Sequence, residues 1–115
     1  MPNVIGSFVF RNDGDGCLTS KYINRGMTSP LTECAKVQGV VDNDRFSGRY
    51  FSIWLDTPID PNSSFLEIER NRESFNLIWV KDGSNIYAGQ GMLFGNFLVG
   101  SYWSIDLNHI LPTES

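Results

Sequence analysis

The chain has 115 residues, 41% of them hydrophobic, and a formal net charge of −4. That length suits one domain with a single core, spanning 1–115 with a tail from about 107, and the composition is that of an ordinary soluble domain. The acidic balance, with no cluster of Lys and Arg, excludes nucleic acid as the expected partner. No apolar segment approaches the roughly 20 residues of a membrane span, and no basic run points to a membrane surface. Met1-Pro2-Asn3 opens without a charged stretch and an apolar run behind it, so the expectation is a cytoplasmic protein, or a secreted one whose signal has been removed.

Residues 5–11 predict a first strand, followed by a turn at Asn12-Asp13-Gly14-Asp15-Gly16. A second strand is expected over 17–23, with Leu18, Ser20 and Tyr22 on one face and Cys17, Thr19 and Lys21 on the other. A loop holding Gly26 and Pro30 leads to a third strand over 32–41, in which Ala35 and Val37 face inward. Asp42-Asn43-Asp44 turns the chain into a fourth strand over 46–55. Pro58 and Pro61 make 56–63 a loop. The fifth strand, 65–70, alternates Leu66 and Ile68 with Glu67 and Glu69. Residues 75–80, 86–94 and 97–105 read as three further strands, rich in aromatic and β-branched residues. Asp82-Gly83-Ser84-Asn85 and Gly95-Asn96 punctuate them, the second as a two-residue hairpin turn. Leu107, Ile110 and Leu111 have the spacing of one short helical turn in the tail.

No window carries a sustained helical period, so the fold class is all-β. Eight strands joined by short turns predict an antiparallel up-and-down meander that closes as a small barrel, because closure removes the edges of an open sheet. An open or two-sheet sandwich of the same strands is the alternative.

Trp54, Trp79 and Trp103 fall at similar places in the fourth, sixth and eighth strands. Alternate strands of a meander run the same way, so these residues and Tyr22 are expected as a collar at one end. Parity places Trp79 inward with Phe75 and Leu77, and Trp103 inward with Phe97 and Val99. Such a collar is either a hydrophobic plug or the lining of a ligand mouth. Ser20, Ser52, Gln90 and Ser101 fall on the same apparent inner faces, and buried hydroxyls need partners, which favours a pocket.

The stretch Gly6-Ser7-Phe8-Val9-Phe10 through Asp15-Gly16-Cys17-Leu18-Thr19-Ser20-Lys21-Tyr22 resembles the opening of the avidin family. Asn76-Leu77-Ile78-Trp79-Val80-Lys81 is similar to that family's strand ending in a ligand-packing Trp. Tyr87-Ala88-Gly89-Gln90 stands where the family has Trp-x-Gly-Gln. The resemblance implies an eight-stranded ligand-binding barrel in which Tyr22, Trp79, Tyr87 and Trp103 face the ligand. The family's polar residues after the corresponding Trp are missing here, so the resemblance does not name biotin. Lipocalin-like barrels share the architecture, and fold alone does not give function.

The remaining motifs carry less. Asp13-Gly14-Asp15-Gly16 lacks the third acid and distal Glu of a calcium loop. Cys17 and Cys34 flank one hairpin, as two thiols or, in an exported chain, a disulfide. A single His, His109, provides no triad or metal cluster, no cofactor is indicated, and the chain is expected not to be an enzyme. The expected function is a small-molecule binding barrel with an aromatic-lined pocket made by Tyr22, Trp54, Trp79, Tyr87, Trp103, Ser20, Ser52, Gln90 and Ser101, for a small, partly apolar ligand. The alternative is a non-catalytic interaction module acting through its exterior. Phe51, Ile53, Leu55, Ile78, Val80, Leu98 and Tyr102 form the second apolar parity of the even strands, and predict a homo-oligomer, most simply a dimer.

Overall fold

A computed structural model describes residues 4–39, 44–54 and 62–109. Eight antiparallel strands follow in chain order: β1 (Ile5–Gly14), β2 (Cys17–Asn24), β3 (Leu31–Val37), β4 (Gly48–Trp54), β5 (Asn62–Asn71), β6 (Ser74–Lys81), β7 (Ser84–Phe94) and β8 (Phe97–Ser104). Each pairs with its neighbour in sequence, and β8 pairs with β1, so the meander closes into a barrel. A 3₁₀ turn, Ile105–His109, follows β8 and buries Leu107.

The turns set the register. Asp82 and Gly83 both have positive φ (52° and 78°), the pattern of a type I′ turn, and Lys81 pairs with Ser84 across it. Gly95 alone has positive φ (61°) in its turn, the pattern of type II′, and Phe94 pairs with Phe97. With side chains alternating between faces, these registers put Phe8, Phe10, Leu18, Ala35, Tyr50, Leu66, Ile68, Phe75, Leu77 and Leu98 inside, all buried.

Several expected strand limits move: the first strand runs on to Gly14, and the fifth already starts at Asn62, inside the expected loop. The third strand ends at Val37, and residues 40–43 lie outside the described residues. The fourth begins at Gly48, and Phe46 belongs to the turn before it. There Oδ1 of Asp44 accepts from the backbone N–H of Phe46 (2.9 Å) and of Ser47 (2.6 Å), and Arg45 has φ +72°. A side-chain acceptor that takes over backbone donors replaces the ladder. Phe46 is buried all the same, and its carbonyl accepts from the hydroxyl of Tyr50 at 2.8 Å.

The parity of β8 is the reverse of the expectation. Leu98 and Tyr102 are inside, whereas Phe97 is 42% exposed and Trp103 is on the outer face. The inner face of β7 is Gly89 and Gly91, which puts Gln90 outside, opposite Asn76 and Ser101. Gln90 and Ser101 are both exposed. Glycines on the inner face explain the reversal: a Cβ on Gly91 would lie 3.2 Å from the ring of Phe8, and one on Gly89 would lie 3.2 Å from that of Trp79. The room that a side chain would need is taken by aromatic rings from other strands. Hydropathy cannot show such a face as apolar.

Cys17 pairs with Lys36 and Cys34 with Thr19, so the two sulfurs share the outer face two positions apart, as free thiols.

Candidate functional site

All even strands finish at one end of the barrel, and the odd strands begin there. Below that level the interior is filled by the core. At that level the wall residues line a partly open cavity of about 160 Å³. It is lined by Val4 and Phe8 from the first strand and its approach, Tyr22 and Asn24 from β2, Leu31 and Glu33 from β3, Trp54 from β4, Trp79 from β6, Tyr87 from β7 and Tyr102 from β8. The aromatic collar therefore borders a cavity, with a filled core below it.

The rings form walls, not a stack. Tyr87 and Tyr102 meet at 88° with centroids 5.9 Å apart, and Tyr22 and Tyr102 at 77° and 6.1 Å. Trp54 meets Tyr87 at 59° and 6.0 Å, and Trp79 meets Tyr102 at 53° and 5.8 Å. The two Tyr–Tyr pairs have the favoured edge-to-face geometry and the two Trp–Tyr pairs are tilted, so the rings border a volume and do not stack across it. Tyr102 is fixed by its hydroxyl, which donates to Oδ1 of Asn24. Burial first, then the neighbouring Tyr22, Tyr87 and Glu33, raises the phenol of Tyr102 far above the usual tyrosine range, so it stays neutral.

One carboxyl group enters this box. Glu33 is 3% exposed, and three donors converge on its Oε2: the hydroxyl of Ser52, the Nε1 of Trp54 at 3.2 Å and the Nε1 of Trp79 at 2.9 Å. Burial raises the Glu33 carboxyl above the ordinary glutamate value, against the three hydrogen bonds, which favour the ionised form. Among the described residues, no Lys, Arg or His lines the cavity to balance it.

Of the residues singled out from sequence, Tyr22, Trp54, Trp79 and Tyr87 line the cavity. Ser52 stands just behind it, as a donor to Glu33. Ser20 is fully buried on the inner face, where its hydroxyl reaches only the carbonyl of Lys21 at 3.4 Å, outside the lining. Gln90, Ser101 and Trp103 are on the outer face, because β7 and β8 take the opposite parity. Trp103 there donates from Nε1 to Asn108 at 2.7 Å. Its expected place in the collar goes to its neighbour Tyr102. Glu33 was not among the expected site residues. The signal for it was present: Ala35 and Val37 were expected inward, and a period of two carries Glu33 onto the same face.

Among the described residues, no group of three His, Cys, Asp or Glu side chains is arranged to hold a metal ion. A scan against protein-family models, a search of curated proteins and a search of solved structures each return no match.

Proposed function

We propose that this protein is a non-catalytic binding barrel, and that it takes a small molecule into the cavity beneath the aromatic collar. The observation that carries this reading is a cavity of about 160 Å³ boxed by Tyr22, Trp54, Trp79, Tyr87 and Tyr102, with one hydrogen-bonding carboxyl in its wall. Apolar walls with a few convergent polar groups are the usual composition of a ligand site, and a barrel end is a usual place for one. An engineered cavity of about 150 Å³ holds benzene, which sets the size of the buried part of the ligand. The resemblance to avidin-family barrels supports the same reading. Tyr22, Trp79 and Tyr87, three of the four positions it makes ligand-facing, line the cavity. A fragment screen by protein-observed NMR, with intrinsic Trp fluorescence as a second signal, tests it. Shifts clustered on Tyr22, Trp79 and Tyr87 are expected. No fragment perturbing these residues would exclude a ligand pocket.

We infer a second use for the outer wall, in self-association. The register aligns Phe51, Phe65 and Val80 across β4, β5 and β6, with Ile53 and Ile78 beside them. The rings of Phe51 and Phe65 meet at 5.7 Å, and Arg49 lies 4.4 Å over the ring of Phe65. Leu98 and Tyr102 leave the expected outer set, being inside, and Leu55 lies outside the described residues. Sedimentation at micromolar concentration is expected to show a dimer that Ile78→Glu dissociates; a wild-type monomer would contradict it.

A further inference from the structure

We propose that the ligand of this cavity is a small organic cation, bound with its ammonium group beside Glu33 and enclosed by the faces of Trp54, Trp79, Tyr87 and Tyr102. The proposal rests on the reading of the cavity as a ligand site and names the chemistry of that ligand.

Three features of the cavity converge on positive charge. The first is the position of Glu33. A carboxylate withdrawn from water is costly unless it is paired as well as hydrogen-bonded. Glu33 has the hydrogen bonds and, among the described residues, no cationic partner in the cavity wall. The second is the arrangement of its donors. Ser52, Trp54 and Trp79 all bond Oε2, and Oε1 takes no part in that set. The donors hold the carboxyl in one orientation at the cavity wall. The third is the wall itself. Two indoles and three phenols surround the volume, and ring faces attract cations, indole most strongly, more so where water is excluded.

The groups facing Glu33 make an anionic ligand unfavourable and give a neutral one little to gain. From β4 and β6 come Ser52, Trp54 and Trp79, which do not titrate. From β2, β7 and β8 come the phenols of Tyr22, Tyr87 and Tyr102, the last kept neutral by its burial. Because burial holds the Glu33 carboxyl above its ordinary value, a cation entering beside it also lowers that value and favours the ionised form.

The test uses the whole chain and three molecules of one shape: choline, its neutral isostere 3,3-dimethyl-1-butanol, and the anion 3,3-dimethylbutyrate. Binding is followed by Trp fluorescence and by calorimetry. Choline is expected to bind at least tenfold more tightly than the alcohol, and the anion more weakly than both. Glu33→Gln, which keeps the size of the side chain, is expected to erase the preference for choline over the alcohol. An alcohol that binds as tightly as choline to the wild-type protein would overturn the cation assignment and leave the binding barrel standing. Failure of all three to bind also overturns it, and the fragment screen then decides separately whether the cavity takes any ligand. A folded Glu33→Gln protein that keeps the preference removes Glu33 as its source. The wild-type comparison decides the matter if that variant does not fold.

Discussion

The indole nitrogen of Trp79 donates to Oε2 of Glu33 across 2.9 Å, joining β6 to β3 through the barrel interior. These strands are not neighbours in the sheet, so the bond spans the interior of the barrel and not a ladder. Among the described lining residues, it fixes the one carboxyl side chain against an indole ring.

The burial of this carboxyl, against the bonds that it accepts, makes stability depend on pH in an unusual direction. Burial raises the Glu33 carboxyl above 4.5, its ordinary value, so the folded state holds a proton that the unfolded chain releases. The stability so contributed is complete below about pH 4.5 and is lost as pH rises through the raised value. The wild-type protein is expected to lose stability relative to Glu33→Gln on going up from pH 4.5. Urea unfolding of both proteins across this window measures the difference; parallel curves would show that Glu33 does not titrate with folding.

Asp44 works in the opposite sense. Burial pushes its carboxyl up, but the hydroxyl and N–H of Ser47 and the N–H of Phe46 outweigh that and hold it below 3.8. Its contribution is present above its ordinary value and lost as pH falls through the lowered one. Asp44→Ala is expected to cost about 1 kcal/mol at neutral pH, as loss of a capping acceptor does. Its urea midpoint should converge on the wild-type value as pH falls below 3.8 and through the lowered value.

The two tryptophans of β6 and β8 should differ sharply when truncated. Trp79 is 4% exposed inside the barrel, and Trp79→Ala is expected to cost about 3–5 kcal/mol. Trp103 covers the outer face beside Ala88, and Trp103→Ala is expected to cost about 1 kcal/mol. Thermal or urea denaturation of the pair reads this directly, and a larger loss at Trp103 would reverse the assigned parity of β8.

Gly100 pairs with Gly91 across β7 and β8. A Cβ there would press on the carbonyl oxygen of Gln90 and stand 2.6 Å from Cα of Gly91. Both are backbone atoms that can yield only if the strand moves. Gly100→Ala is expected to cost about 1–3 kcal/mol, the scale of overpacking, and to shift the amide resonances of Gln90 and Gly91. A fully stable variant with unchanged spectra would mean that the strands separate more easily than this contact allows.

Local rules in the sequence determined the strand order, the turns and most of the barrel. Asp82-Gly83 and Gly95-Asn96 specify hairpins because their positive φ angles suit only a few residues, and alternation in β5 assigns Leu66 and Ile68 to the core without reference to any other strand. The even-strand spacing likewise determined that Tyr22, Trp54 and Trp79 gather at one end. Tertiary structure alone decided the parity of β7 and β8. Their inner positions include Gly89, Gly91 and Gly100, which are needed because rings and backbone from elsewhere fill that space, and a missing side chain has no hydropathy. It also decided the meaning of Glu33. In sequence it is one polar residue in an alternating strand, and its charge becomes informative only when β4 and β6 bring Ser52, Trp54 and Trp79 onto the same oxygen. Hydrogen bonds across a barrel depend on how the sheet closes, and closure is a property of all eight strands together.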